Sequence, residues 1–299
     1  MSVPTTAPSA MAVARLPDYL QLTKPRLSSL VLVTVSVAFF LASPETLDPL
    51  LLVEVLLGMG LVVGGVNALN QYVERDADAR MLRTQSRPLP DGRLWPSEAA
   101  AFGTLATGSG LLWLYLSVNL WVGTLAAAAA VLYLFVYTPL KRCTPWCTPV
   151  GAIPGAIPPL VGWAAARGQL DVGAWSIFAL LLLWQMPHFL AISRLYREDY
   201  ARGGFPMLAV VDEEGSLTGR TCLACALMLL PVTLLPAAVG IVGKFYFGGA
   251  LLLGMAFLAV VFWSVHRPDE GRERWVFLGS LLHLTGLMVL MLLDRQPLF

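Results

Sequence analysis

Charge is what this chain has little of. Asp, Glu, Lys and Arg make up 13% of its 299 residues, against about 25% in an ordinary soluble domain. A water-soluble globule is therefore a poor reading. Basic tracts are missing as well: the formal net charge is +1, and no run of Lys and Arg is long enough to grip a nucleic-acid backbone. Low-complexity tracts and any recognisable soluble domain are also absent. Only four cysteines occur. Cys143 and Cys147 fall in one loop and Cys222 and Cys225 at the start of an apolar span. That C-x-x-C pair lacks the two further ligands a zinc site usually adds, and small membrane-helix cysteines are the favoured reading. The N-terminal "MSVPTTAPSAMAVARLPDYLQ" has no apolar core of a cleavable signal, and is too short and Arg-poor for a transit peptide; it reads as part of a polar tail over 1–26.

What is present in excess is apolar surface, 57% of residues. Nine runs, near 27–42, 50–72, 98–117, 119–140, 149–166, 172–193, 221–242, 245–265 and 275–293, each approach the ~20 residues that cross a hydrocarbon core as a helix. The expectation is one all-α, polytopic membrane domain over 1–299. Of the 20 Lys and Arg residues, all except Arg167, Lys244 and Arg295 fall in the tail or in the loops after the even-numbered spans. Basic loops stay inside, so the tail and those loops are expected in the cytoplasm of a bacterial plasma membrane; an inner mitochondrial membrane is the alternative. On that reducing side a structural disulfide is disfavoured.

The two longest inside loops, about 73–97 and 194–220, keep both signs of charge beside the membrane. In "NALNQYVERDADARMLRTQSRPLPDGR" (67–93), Asn70, Glu74 and Asp78 recur every fourth residue. On a helix they form one stripe that drifts ~40° per step; Asp76 lies on another face. Oxygen-only donors of this kind suit Mg²⁺, which takes one or two carboxylates plus phosphate oxygens. Arg83 and Arg87 follow, and guanidinium groups grip phosphate through paired hydrogen bonds. A solvated helix end laced with ion pairs accounts for the same pattern. Pro88, Pro90 and Gly92 close the loop as a turn.

The second loop continues the sixth span through "WQMPHFLAISRLYREDYARGGF" (184–205). If that helix stays intact, His188 and Asp199 share a face about 16 Å apart, with Gly203 and Gly204 turning the chain. Gln185, Pro187 and His188 are awkward inside an apolar span; they would face a cavity where Pro187 loosens the helix. His283, in the last span, reads as a hydrogen-bonded bundle histidine, and His266 as an inside-loop charge. The fifth span, rich in Gly and Pro, either lines a cavity or packs closely through small residues.

These pieces together resemble the UbiA superfamily of intramembrane prenyltransferases. Its first motif, N-x-x-x-D-x-x-x-D, is met by Asn70, Glu74 and Asp78, with Glu for the middle Asp. "LTKPRL" (22–27), "YTPLKR" (137–142), "GAIPPLVGW" (155–163), "WQMPHF" (184–189), "REDYARGGFPML" (197–208) and "LLD" (292–294) point within it to a haem-modifying branch. The resemblance implies transfer of the farnesyl group of farnesyl diphosphate to a vinyl group of haem b, with addition of water and release of diphosphate, in support of haem–copper oxidase biogenesis. It implies Mg²⁺ held by Asn70, Glu74, Asp78 and Asp199, and diphosphate held by Arg83, Arg87, Lys141 and Arg202. An apolar space between helices would take the isoprenoid. Trp184, Gln185 and His188 become candidate haem contacts, with His188 an axial ligand, a base for the added water or a packing residue. Implied partners are the two substrates and the bilayer, with a haem A synthase or oxidase assembly factors as further contacts and no nucleic acid. Two departures stand out. Leu195 occupies the position of a second-motif acid, and Cys147 stands where Asn is frequent. A prenyltransferase for a quinone precursor such as 4-hydroxybenzoate shares the first motif but not "WQMPHF". A transporter would want acids near the midplane, whereas nearly all acids here lie at span ends. An assembly factor with a dead site sits poorly with an intact first motif.

Overall fold

In the computed structural model, residues 16–44, 46–266 and 270–297 are described. Arg15, Arg267 and most of the N-terminal tail lie outside those residues. The described chain is helical, and nine helices are long and apolar enough to cross a membrane: Pro25–Ala42, Pro49–Asp78, Pro96–Val118, Leu120–Leu140, Cys147–Arg167, Val172–Leu195, Ser216–Ala238, Lys244–His266 and Gly271–Leu293, named spans one to nine in that order. Each expected apolar run is matched by one of them. Within the expected tail, Leu16–Leu22 forms a short helix.

Local chemistry explains the starts and stops. Span two begins where the Asp48 carboxylate accepts from the Leu50 and Leu51 amides, with Pro49 in the first turn; an acid cap followed by proline satisfies or removes orphan donors. Asp171 caps span six through Gly173 and Ala174 in the same way. Spans three and four are separated by extended Asn119, whose side chain accepts from the Val122 amide. Span five stays one helix through Pro154, Pro158 and Pro159 and ends at left-handed Gly168.

Spans five and six are the most enclosed and form the spine of the bundle. Two large apolar cores lie beside it. Spans one to five build one, and spans one and five to nine build the other. Span one therefore serves both cores, and it presses on span five: a Cβ on Gly162 would lie 2.1 Å from the Val35 carbonyl oxygen. The glycines of span five thus serve close packing, the second of the two readings above. The apolar void left among spans one, six and nine holds only about 10 Å³, too small to seat an isoprenoid chain. At the end opposite the basic loops, Asp294 accepts from the Tyr246 amide and Arg295 donates to the Ser43 and Pro44 carbonyls. These contacts tie the last described residues to spans one and eight.

Candidate active site

Span two runs six residues past its expected end, and those extra turns carry the acids. Asn70, Glu74 and Asp78 are 2%, 3% and 1% exposed. A solvated helix end is thereby excluded, because buried carboxylates need partners. Each donor of the stripe has a cation from a different part of the chain. Lys24 Nζ donates to Asn70 Oδ1 at 3.1 Å. Lys141 Nζ reaches both Glu74 oxygens at 3.1 and 3.2 Å. Arg87 Nη1 donates to Asp78 Oδ2 at 2.6 Å. The Asp78 Oδ1 atom, also buried, has no hydrogen-bond partner among the described residues.

The approach of Lys141 depends on an irregularity in span four. Pro139 has no N–H to give to the turn before it, so the helix loses a rung. The chain widens into a π-helical turn over Leu132–Tyr137, a feature frequent at functional sites. The Thr138 hydroxyl donates to the Tyr133 carbonyl at 2.8 Å and accepts from Asn70 Nδ2 at 3.3 Å. Asn70 is thus oriented from both ends, with its carbonyl oxygen kept toward Lys24. Lys141 Nζ also lies 4.6 Å from the Phe205 ring centre. Burial acts to lower the Lys141 ammonium, but Glu74 outweighs it and holds the group above its usual value. Lys24, crowded by burial and by Arg87, is pushed down to about 7.

Asp199 behaves differently. Span six ends at Leu195, Tyr196 leaves the helical conformation, and a separate helix Arg197–Gly203 carries Asp199 until Gly204 turns it with a φ of +77°. The helix is not intact between His188 and Asp199, so the expected shared face does not form. Asp199 Oδ1 accepts from the Leu82 amide at 2.9 Å and from Arg202 at 2.6 Å, and Oδ2 from the Arg83 amide at 3.3 Å. Burial would raise this carboxyl, but Arg202 and the two amides hold it below the usual range. Asp199 therefore fastens the loop after span two to the loop after span six. Among the described residues no three acidic, histidine or cysteine side chains gather as a metal cluster, so the expected four-donor set with Asp199 is not assembled. Arg83, above Asp199, stacks on Tyr196 and Tyr200 at 4.6 and 5.7 Å. Cys147 makes no polar substitute for Asn: its Sγ lies 3.7 Å from Met207 Sδ in a buried cluster with Met81, Tyr200 and Phe205.

The "WQMPHF" residues do not face one cavity. Gln185 donates to the Ala152 and Leu181 carbonyls, against span five. Trp184 Nε1 donates to the Ser280 carbonyl and His188 Nδ1 bonds the Ser280 hydroxyl at 2.7 Å, both against span nine. The His188 ring stacks on Trp184 with centroids 4.8 Å apart. Pro187 lies within a continuous helix. His188 is thus packed and hydrogen-bonded within the bundle, and its partner lies outside the acid stripe.

His283 departs from expectation in the opposite sense. It is 2% exposed, stacks on Phe257, and neither ring nitrogen has a hydrogen-bond partner among the described residues. A buried polar group left unpaired costs about 1–3 kcal/mol. His283→Phe is therefore expected to be neutral or to raise the thermal unfolding midpoint in detergent micelles; a fall in midpoint would show that the imidazole makes a polar contact.

Sequence reasoning missed Lys24. It stands in "LTKPRL", ahead of span one and 46 residues from Asn70. Its φ of +48° makes it the only non-glycine among the described residues in the left-handed region. Only the proline that follows it hints at a constrained backbone.

A multi-span membrane enzyme is defined by this bundle, with buried acids, amides and cations converging at the end that carries the basic loops. The model of the UbiA prenyltransferase family matches residues 31–286, and the chain belongs to that family. Curated relatives in the bacteria Solibacter usitatus and Salinibacter ruber, both called protoheme IX farnesyltransferase, are each 44% identical to it. They align with 94% and 93% of this chain and with 99% and 98% of their own. Solved structures repeat the fold at low identity. A digeranylgeranylglyceryl phosphate synthase superposes with a TM-score of 0.78 at 18% identity, covering 93% of this chain and 98% of its own. A UbiA homologue from Archaeoglobus fulgidus, bound to GPP and Mg²⁺, superposes at 0.66 and 15%, covering 92% and 99%.

Proposed function

We propose that this prenyltransferase moves the farnesyl group of farnesyl diphosphate onto a vinyl group of haem b. Water adds in the same overall reaction, giving the hydroxyethylfarnesyl haem known as haem O, and diphosphate leaves. The observation that carries this reading is near-full-length similarity to enzymes that bear that name, in a chain whose acid stripe is buried and intact. Mg²⁺ fits the stripe: its donors are hard oxygens, and the buried Asp78 Oδ1 lacks a partner among the described residues. Asn70, Glu74 and Asp78 would hold the ion, and Asp199 supports the loop above them. Bound there, it supplies positive charge for a departing diphosphate.

The chain's own residues then divide the work. Lys24, Lys141 and Arg87 already point at the oxygen donors and are placed to hydrogen-bond phosphate oxygens, as charge develops on the leaving group. Arg83 and Arg202, at the mouth, orient the diphosphate from the loop side. Thr138 keeps the Asn70 amide turned correctly. The packed apolar helices limit the access of water to the allylic carbon until the acceptor is in place. The site lies at the basic-loop end of the bundle, which the charge bias assigns to the cytoplasmic face of a bacterial plasma membrane. Its product would pass to haem A synthase or oxidase assembly factors.

The direct test incubates the purified protein with haem b, farnesyl diphosphate and Mg²⁺ and weighs the product. A mass gain of one farnesyl group plus one hydroxyl group on haem supports the reading. Prenylation of 4-hydroxybenzoate instead would replace it with the quinone-precursor reaction. His188 sits against span nine, so His188→Ala is expected to leave the haem absorption spectrum unchanged on titration. It should cost about 1–3 kcal/mol of stability through the lost Ser280 bond and ring packing. A changed Soret band would return His188 to the haem contacts.

A further inference from the structure

Three cations face two carboxylates and one amide oxygen in the site. All three cations are supplied from outside span two. Lys24 is the most telling of them, because it holds a left-handed backbone that side chains rarely adopt, a conformation glycine would take without strain. That conformation sends its ammonium to Asn70 Oδ1. The strained backbone and the Asn70 contact together hold the Lys24 amine at the acid stripe. A divalent cation arriving alone would have to push Lys24, Lys141 and Arg87 off its own ligands and lie beside the displaced groups. A diphosphate arriving alone would draw those cations away and leave Glu74 and Asp78 buried, unpaired and facing a polyanion. Only when both arrive do the carboxylates take the metal and the freed cations take the phosphate oxygens.

We infer that Lys24, Lys141 and Arg87 are internal counterions that exchange partners on loading, so that metal and diphosphate each bind weakly alone and strongly together. This rests on the proposed diphosphate substrate and concerns how its site fills. The coupling is reciprocal, as any linkage between two ligands must be. It also places Lys24 among the groups that touch the diphosphate.

The test measures each ligand in the absence of the other, on the full chain in detergent micelles. Mn²⁺ binding is followed by electron paramagnetic resonance without any phosphate. Labelled inorganic pyrophosphate binding is followed by equilibrium dialysis in EDTA. Lys141→Met and Lys24→Gly remove a counterion and are expected to bind Mn²⁺ alone about tenfold more tightly than wild type. Glu74→Gln releases Lys141 and is expected to bind pyrophosphate without metal about tenfold more tightly. Lys24→Gly also relieves the left-handed backbone, so it should unfold no earlier than wild type; that variant separates loss of charge from loss of fold. A merely structural role for the pairs predicts that every variant binds less of both ligands. Wild type binding Mn²⁺ alone as tightly as Lys141→Met and Lys24→Gly would overturn the inference and leave the diphosphate reading standing. Failure of pyrophosphate to bind any form, with or without metal, would remove the diphosphate reading itself, and the inference with it.

Discussion

Asp78→Asn and Glu74→Gln are each expected to lower haem O formation by about 10²–10³-fold or more, while the protein still inserts and folds. Both substitutions keep the size of the side chain and take away its negative charge. Asp78 is the sharper case, since one of its oxygens is buried without a partner among the described residues while the other holds Arg87. The alanine variants should abolish product too, but with a stability loss added. Glu74→Ala strands the Lys141 ammonium beside Phe205 and Tyr137, and an unpaired buried charge is costly. Product is measured by mass in reconstituted membranes, beside unfolding midpoints that separate chemistry from fold. Full activity in the Glu74→Gln, Asp78→Asn double variant would sink the assignment of this stripe as the metal and diphosphate site.

The second large effect is one of stability. Arg194, at the end of span six, pairs with Glu273 at the start of span nine, and the same guanidinium donates to the Gly215 carbonyl ahead of span seven. The Ser264 hydroxyl of span eight donates to the same Glu273 oxygen as Arg194. Four spans of the second core thus meet on one buried pair, whose side chains are 12% and 8% exposed. Arg194→Met leaves Glu273 buried without its counterion and is expected to destabilise by about 3–5 kcal/mol. Replacing both, Arg194→Met with Glu273→Leu, should recover most of that loss, because apolar side chains of similar volume remove the stranded charge. Chemical denaturation in mixed micelles reads both variants. Equal destabilisation of the single and the double variant would mean that the pair acts through its geometry at Gly215 and not through its charge.

The nine spans were readable because crossing a bilayer is a demand on length and composition, both of which lie along the chain. The acid stripe was readable for a similar reason: an i, i+4, i+8 spacing is a property of one helix, and Asn70, Glu74 and Asp78 do share a buried face. The break at Tyr196 was not readable, since the helical continuation of span six into "REDYARG" is locally sound. What interrupts it is the anchoring of Asp199 to the Leu82 and Arg83 amides, more than a hundred residues earlier. Gln185 and His188 illustrate the same limit. They are ~60° apart on a helix, close enough to suggest a single cavity. Span six, however, is wedged between spans five and nine, so that angle spans a seam and sends the two side chains to different neighbours.

By itself, then, the sequence of this protein determined the nine apolar spans, most of their extent, and the donors that span two presents. These follow from periodicity, hydropathy and capping, which act within a few residues. Tertiary structure alone decided which cation meets which donor, that Asp199 clamps two loops, that His188 bonds Ser280 of span nine, and that Lys24 reaches Asn70. Those outcomes depend on pairing charged and polar groups in a low-dielectric interior. Such pairing is settled by which helices lie side by side, not by how far apart their residues stand along the chain.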